Sequence, residues 1–174
     1  MKKVLIVVDM QRDFVDGALG TREAQAIVPL VTAKIRGFEG PVFATLDTHE
    51  ADYMDSCEGR HLPVPHCIRG TEGWALQEEV AAALEEKGYT PVEKESFGSL
   101  RLPGLLRESL EGQAAELCLI GLCTDICVVS NALLLKASFP EWEISVDSAC
   151  CAGVSPETHR AALTTMGQCQ INII

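Results

Sequence analysis

Two patterns of apolar residues alternate along the chain. A near-continuous apolar run, typical of a strand covered on both faces, predicts a strand at residues 4–8. Shorter segments that are mostly apolar or β-branched predict further strands at 41–46, 89–93, 117–120, 143–146 and 170–174. Between these runs, apolar residues recur near helical spacing, which predicts helices at 22–37, 74–87, 103–111, 124–137 and 156–167. Residues 47–73 show neither pattern and are predicted to be a polar loop. A loop of that length in a compact domain is usually functional or disordered.

The alternation of strands and helices predicts an α/β fold. We expect a single domain over residues 1–174, with an open, parallel, six-stranded sheet and helices on both of its faces, as in Rossmann-like proteins. Ligands of such sheets bind beyond the carboxyl ends of the strands. The polar residues that follow each predicted strand are therefore candidates for one shared site.

Composition and charge narrow the range of partners. The chain has 174 residues, 47% of them hydrophobic, which fits one packed domain. Its net charge is −11 and it has no basic cluster, so nucleic acid and anionic membrane are not expected as partners. No apolar run is long enough for a membrane span or a signal peptide core. We therefore expect a cytoplasmic protein whose eight cysteines are mostly reduced.

Cys127 is the strongest candidate nucleophile, because it lies in the first turn of a predicted helix. Free N–H groups and the helix dipole favour a thiolate there, and they could also hold an oxyanion. Asp9 and Lys94 follow two other strands, where Lys94 could stabilise the thiolate and Asp9 could carry a proton to a leaving group. The structural alternatives are a cysteine that only packs the helix against the sheet, a turn aspartate and a surface lysine. Three such groups at three strand ends favour an enzyme.

The long loop holds a candidate metal site. Asp47 and His49 follow the second strand, and their spacing places two ligand types on one side of an extended segment. His66 and Glu58 could complete a site with nitrogen and oxygen ligands, suited to zinc, manganese or iron. A solvated polar loop is the alternative. The rival ligands in the same loop are His61, Cys57 and Cys67, and we expect neither cysteine to bind the metal.

Four segments resemble the isochorismatase-like cysteine hydrolases. Residues 8–14 (VDMQRDF) are similar to the family's D-x-Q-x-D-F opening, and residues 121–128 (GLCTDICV) to its G-x-x-T-D-x-C-V nucleophile segment. Lys94 followed by Phe97 resembles its lysine segment. Residues 65–73 (PHCIRGTEG) resemble the P-H-C-x-x-G-T-x-G segment of the family's nicotinamidase branch. The resemblance covers essentially the whole chain.

The resemblance implies a complete hydrolytic mechanism. Asp9, Lys94 and Cys127 would form a catalytic triad, and Cys127 would attack an amide carbon to give a thioester, releasing ammonia before water hydrolyses the thioester. The backbone N–H groups of Cys123 and Cys127 would form the oxyanion hole, with a cis peptide bond between Leu122 and Cys123.

The same resemblance implies a substrate and a cofactor. Asp47, His49 and His66 would bind a divalent ion, zinc in the first place, which would contact the ring nitrogen of nicotinamide. Such an enzyme would serve NAD salvage. Members of the family are often homo-oligomers, so a homo-oligomer is an open expectation for this chain as well.

Two departures from the nicotinamidase pattern leave other functions open. The branch often has an aromatic residue where this chain has Pro63, and a histidine and a serine–phenylalanine pair where residues 50–53 read EADY. The candidates for the wall that stacks on the substrate are Phe14, Tyr53, Phe97 and Trp74, with Phe14 best placed by motif. Another small amide, a carbamoyl compound or a ureido compound is therefore an alternative substrate. A catalytically silent ligand-binding protein or thiol redox sensor is a third interpretation.

Overall fold

The computed structural model describes residues 1–174 and contains one six-stranded sheet. Its strands are β1 (Lys2–Val8), β2 (Val42–Asp47), β3 (Thr90–Lys94), β4 (Ala115–Leu122), β5 (Glu143–Ala152) and β6 (Asn172–Ile173). All neighbouring strands pair in parallel, in the order β3-β2-β1-β4-β5-β6. The predicted α/β fold is confirmed. The strand order reverses direction between β1 and β4, and this is the place where open parallel sheets form a ligand crevice.

Helices cover both faces of this sheet. They are α1 (Arg12–Val15), α2 (Arg22–Gly37), α3 (Cys57–His61), α4 (Glu78–Lys87), α5 (Leu102–Ser109), α6 (Val129–Ser138) and α7 (Pro156–Gln168), with a 3₁₀ turn at Tyr53–Asp55 and a π turn at Thr124–Val128. No helix is both long and apolar enough to cross a membrane.

The central strand β1 shows how the two hydrophobic cores arise. Consecutive side chains of a strand point to opposite faces of its sheet. Val4, Ile6 and Val8 accordingly belong to one buried cluster, and Leu5 and Val7 belong to the other. The near-continuous apolar run at the start of the chain is thus buried on both sides.

Long-range contacts change several of the predicted boundaries. The helix predicted at 74–87 begins only at Glu78, because the preceding segment pairs with the backbone beyond β1: Arg12 N–H donates to the Ala75 carbonyl (2.9 Å) and Gln77 N–H to the Met10 carbonyl (2.8 Å). The predicted loop at 47–73 contains the 3₁₀ turn and α3. Strand β5 is longer than predicted, with an irregular register against β4, and β6 is shorter.

Candidate active site

The carboxyl ends of the central strands bring four chemically reactive side chains into contact. Lys94 Nζ lies 2.7 Å from Asp9 Oδ2, 3.0 Å from Asp47 Oδ1 and 3.5 Å from Cys127 Sγ. The Lys94 side chain is only 1% exposed, so the interpretation as a surface lysine is wrong. Burial opposes the charge of this ammonium, but the negative charges of Asp9 and Asp47 outweigh it and raise the pKa of Lys94. Lys94 is therefore a permanent cation at the centre of the cluster.

Asp9 is held by the two strands that flank it. The chain turns out of β1 at this residue, where φ is +46°, and Asp9 N–H donates to the Thr45 carbonyl (3.2 Å). The Thr45 hydroxyl donates to Asp9 Oδ1 at 2.6 Å. The other oxygen, Oδ2, pairs with the Lys94 charge but accepts no well-aligned hydrogen bond. Burial raises the pKa of Asp9 even though Lys94 opposes the rise. Oδ2 is thus a carboxylate oxygen with a lone pair available for a proton.

Cys127 lies in the π turn that precedes α6, and it is buried. Lys94 favours a thiolate at Cys127, as expected, but its effect does not dominate. Burial, followed by the negative charge of Asp9, raises the pKa of Cys127 well above its ordinary value, and Lys94 only partly counters this. The resting sulfur is therefore a thiol, and it must lose its proton to a base when it reacts.

The segment before Cys127 depends on a glycine. Gly121 has a φ of +115°, and a Cβ there would collide with the Val8 carbonyl oxygen, so β4 can approach β1 this closely only without a side chain. The peptide bond between Leu122 and Cys123 is cis, as the resemblance implied. The Cys123 carbonyl accepts from the N–H groups of Ile126 and Val128, whereas the Cys123 N–H donates to no acceptor within the chain.

The second cysteine of this segment contributes through its backbone. Burial raises the pKa of the Cys123 thiol to about 12, so this thiol is a poor nucleophile at neutral pH. The free N–H of Cys123 is instead the type of donor that an oxyanion hole requires.

The predicted metal ligands converge beside the catalytic cluster. One ligand atom from each of Asp47, His49, Glu58 and His66 lies within 4.8 Å of the others. Asp47 Oδ2 is 3.0 Å from His49 Nε2 and 3.6 Å from His66 Nε2, and Glu58 Oε1 is 3.6–3.7 Å from the same two nitrogens. Two imidazole nitrogens and two carboxylate oxygens form a donor set that fits zinc and related divalent ions. The other loop residues considered, Cys57, His61 and Cys67, lie outside this group.

Asp47 joins the metal group to the catalytic cluster. Its Oδ1 accepts from Lys94 at 3.0 Å, and its Oδ2 faces both histidines. Burial acts against the charged form, but hydrogen bonds from His49 and His66 and the charge of Lys94 outweigh it and lower the pKa of Asp47. This carboxylate is ionised, and its two oxygens serve two different groups.

Gln11 supports the site, and the sequence analysis gave it no role. Its side-chain oxygen accepts from Asp47 N–H (2.7 Å), and its side-chain nitrogen donates to the carbonyls of Asp47 and Trp74 (both 2.8 Å). The amide thus holds the backbone of Asp47 from both sides. The available signals were its fixed place in the D-x-Q-x-D-F motif and its position two residues after Asp9, just beyond a buried strand.

Asn131 is a second residue that the sequence did not single out. From α6, its side-chain nitrogen donates to the carbonyls of Cys127 (2.8 Å) and Phe97 (3.0 Å), and its oxygen accepts from Ser99 N–H (2.9 Å). It ties the loop after Lys94 to the nucleophile turn. Its only sequence signal was its position four residues after Cys127 in a predicted helix, whereas its complete burial is known only from the structure.

The four aromatic candidates for a substrate wall occupy different environments. The Phe14 ring centroid lies 5.4 Å from that of His66, at the metal group. Tyr53 packs edge-on against the rings of both histidines, and its hydroxyl donates to the Leu62 carbonyl. Its ring therefore packs against two of the predicted metal ligands. Trp74 Nε1 donates to the Thr48 hydroxyl (2.9 Å). Phe97 is 42% exposed.

Comparison with known proteins identifies the family of the chain. The isochorismatase domain model matches residues 3–174. The chain belongs to the isochorismatase family. This membership and the amidase-type relatives make it a hydrolase of the amidase type.

Solved structures of similar proteins cover the same full-length fold. A nicotinamidase/pyrazinamidase of Bacillus subtilis is 32% identical, with a TM-score of 0.79 and 99% of each chain covered. A pyrazinamidase of Pyrococcus horikoshii, solved in complex with zinc, is 28% identical, with a TM-score of 0.80 and coverage of 100% of this chain and 99% of the other. An N-carbamoylsarcosine amidase of Thermoplasma acidophilum is 26% identical, with a TM-score of 0.75 and coverage of 99% and 95%.

Proposed function

We propose that the protein hydrolyses a small amide, nicotinamide in the first place, to the carboxylic acid and ammonia through a thioester on Cys127. The observation that carries this proposal is the position of the Lys94 ammonium, which contacts Asp9, Asp47 and Cys127 at 2.7, 3.0 and 3.5 Å. A thiol, a buried base and a fixed cation in mutual contact are the parts that nucleophilic attack on an amide requires.

The first half of the reaction forms the thioester. Cys127 Sγ attacks the amide carbon while its proton passes to Asp9 Oδ2, and Lys94 stabilises the negative charge that develops on the sulfur. The electron pair of the carbonyl moves to its oxygen, which accepts from the backbone N–H groups of Cys123 and Cys127. Asp9 then returns the proton to the amide nitrogen, the C–N bond breaks, and ammonia leaves.

The second half restores the enzyme. Water attacks the thioester carbon and gives a proton to Asp9, and the same backbone N–H groups hold the oxyanion. The C–S bond breaks, the acid product leaves, and the sulfur takes its proton back. The raised pKa of Asp9 suits this alternation, because a base with a pKa nearer to the working pH both takes and gives protons efficiently.

The metal group positions the substrate in this proposal. Asp47, His49, His66 and Glu58 would hold a divalent ion, zinc in the first place with manganese and iron as alternatives, and Phe14 would line the substrate site next to His66. When bound, the ion supplies a Lewis-acid contact for a ring nitrogen of the substrate. The zinc complex of the Pyrococcus pyrazinamidase supports this choice of ion.

Ammonia release from nicotinamide tests the proposal. The purified protein loaded with zinc should convert nicotinamide to nicotinate with one ammonia per turnover, and Cys127→Ala should release none above background. Cys169→Ala is the matched control, because this exposed thiol lies outside the cluster. Loss of ammonia release in Cys169→Ala but not in Cys127→Ala would contradict the assignment of the nucleophile.

A different amide is the second candidate substrate. Residues 50–53 and Pro63 depart from the nicotinamidase pattern, and the Thermoplasma structure belongs to an amidase of a carbamoyl compound. A panel of nicotinamide, pyrazinamide, carbamoyl amino acids and ureido compounds separates the two. Turnover of a carbamoyl or ureido compound with none of nicotinamide would retain the cysteine mechanism and replace the substrate.

A further inference from the structure

Asp9, Gln11 and Asp13 occupy every second position in the segment after β1, and Asp13 has no part in the proposed mechanism. Asp9 belongs to the catalytic cluster and Gln11 holds Asp47. Asp13, in α1, directs its carboxylate toward the loop that carries His66. Its Oδ2 accepts from Cys67 N–H at 2.7 Å, and its Oδ1 accepts from Ala18 N–H at 3.3 Å.

The bond from Cys67 reaches both metal-ligating histidines. Cys67 directly follows His66 and has a φ of +47°, an uncommon conformation for a residue with a side chain, so its backbone needs support from its surroundings. The Cys67 carbonyl in turn accepts from His49 N–H at 3.0 Å. Cys67 therefore follows His66 in the chain, and its carbonyl hydrogen-bonds to the backbone of His49.

The orientation of the His66 ring depends on the same stretch of backbone. His66 Nδ1 lies 2.8 Å from the Val64 carbonyl, which leaves Nε2 to face Asp47 and Glu58. A backbone acceptor at the second ring nitrogen is the usual means by which a ligating histidine is oriented. A displacement of the Cys67 backbone would therefore move the His66 ring and change where its Nε2 would bind a metal ion.

Gly73 supplies a second, independent observation about Asp13. A Cβ on Gly73 would collide with both carboxylate oxygens of Asp13. The φ of Gly73 is not in the left-handed region, so the backbone conformation alone does not demand glycine at this position. The backbones are also joined, because Asp13 N–H donates to the Gly73 carbonyl at 3.0 Å. The glycine leaves the space in which the carboxylate reaches Cys67.

We infer that Asp13 is a positioning residue of the metal group and that Gly73 is a glycine in order to accommodate its carboxylate. By holding the N–H of Cys67, Asp13 orients His66 through the peptide bond that joins the two residues, and His49 through the Cys67 carbonyl. This inference deepens the proposed function and rests on its metal group, but it does not depend on which amide is the substrate.

Titration of metal-free protein with Co²⁺ tests the inference, because the visible absorption of Co²⁺ reports its ligands without any turnover. Asp13→Ala should bind Co²⁺ about 10- to 100-fold more weakly, the usual cost of losing such an outer partner. At saturation its spectrum should shift toward that of His66→Ala. Asp13→Asn keeps one oxygen acceptor and should recover most of the affinity.

Gly73→Ala gives a second test. Alone it should weaken Co²⁺ binding as Asp13→Ala does, but in the Asp13→Ala background it should add no further loss, because the carboxylate it displaces is absent. Asp16→Asn and Gly104→Ala are the matched controls, since Asp16 is exposed and a Cβ on Gly104 meets open space. If Asp13→Ala fails to fold, Gly73→Ala and Asp13→Asn decide the outcome.

The outcomes separate the two proposals. If Asp13→Ala and Gly73→Ala lower thermal stability but keep the wild-type affinity and spectrum, Asp13 supports only the turn after α1 and the inference is overturned. If the wild-type protein takes up no Co²⁺, the inference is overturned together with the proposed metal group. If the Co²⁺ results are as expected but nicotinamide is not hydrolysed, the proposed substrate is wrong and the positioning role of Asp13 is supported.

Discussion

Cys127 lies beside an ammonium and a carboxylate, and the two have opposite effects on its thiol. Lys94 lowers the pKa of the thiol, whereas burial and the negative charge of Asp9 raise it and dominate. A helix start favours a thiolate, but the burial of Cys127 and, after it, the charge of Asp9 keep the pKa of the thiol raised. In the proposed mechanism, Cys127 would therefore be a protonated nucleophile that transfers its proton to Asp9 when it attacks the substrate.

Asp9→Asn should therefore have opposite effects on two reactions of Cys127. Amide hydrolysis should fall about 10²- to 10⁴-fold, because the base that takes and returns the proton is lost. Alkylation of Cys127 by iodoacetamide at neutral pH should become faster, because Lys94 then acts on the sulfur without the opposing carboxylate. Peptide-resolved mass spectrometry measures the alkylation, with the exposed thiols of Cys57 and Cys169 as internal standards.

In the wild-type protein, the alkylation rate of Cys127 should continue to rise above pH 9, since burial and Asp9 raise its pKa above that ordinary value. Slower alkylation of Cys127 in Asp9→Asn than in the wild type would contradict the charge balance described here. If Cys127 were instead the reactive thiol of a redox sensor, its alkylation in the wild type would already be fast at neutral pH and would not keep rising above pH 9.

Among the elements, α7 braces the turn that carries the nucleophile. The Thr124 hydroxyl lies 2.8 Å from His159 Nδ1, and the Asp125 carboxylate accepts from Val154 N–H just before the helix. Ser155 caps the helix, with a reciprocal bond from Thr158. The π turn is thus held by residues that lie 29 to 35 positions further along the chain.

This contact makes a prediction about pH. Burial lowers the pKa of His159 below its ordinary value of 6.5, so the folded protein favours the neutral ring. Below pH 6.5 the unfolded chain takes up a proton that the folded chain does not, so stability should fall as the pH falls. Urea unfolding of the wild type and of His159→Gln at pH 7.5 and 5.5 measures this, and the variant should lose part of the pH dependence. His61→Gln, at an exposed histidine, is the control, and an equal loss there would contradict the prediction.

At the scale of the whole molecule, the metal group joins segments that the sheet alone does not hold together. Asp47 and His49 follow β2, Glu58 belongs to α3, and His66 lies in the loop beyond it. An ion that binds all four stabilises the folded state only, because the unfolded chain does not bring the ligands together.

Removal of the metal should therefore lower the melting temperature. At free zinc 100 times above its dissociation constant, binding contributes about 2.7 kcal/mol. For a chain of this length, that corresponds to a loss of about 5 to 10 °C on chelation, reversed by added zinc. Calorimetry with and without a chelator measures the shift, and Glu58→Gln should reduce it. A melting temperature that does not respond to chelator in a zinc-loaded sample would contradict the site.

Much of the fold and of the candidate site could be predicted from the sequence by itself. Apolar runs and helical periodicity are local properties, so they predicted six strands and the order of elements. Because the carboxyl ends of parallel strands meet at one edge of a sheet, they also placed Asp9, Asp47, Lys94 and Cys127 on that edge. The motifs around Asp9 and Cys127 pointed to the family for the same reason, since each motif is short and local.

Only the tertiary structure decided the features that depend on distances between remote segments. Helix α4 starts later than predicted because the residues just before it hydrogen-bond to the backbone beyond β1. No local sequence pattern indicates these long-range hydrogen bonds. Asp47 becomes the junction between lysine and histidines, and Gln11 and Asp13 acquire partners 36 and 54 residues away. The tertiary structure also decides the protonation of Cys127, because its burial and its proximity to Asp9 arise only when the strands are assembled.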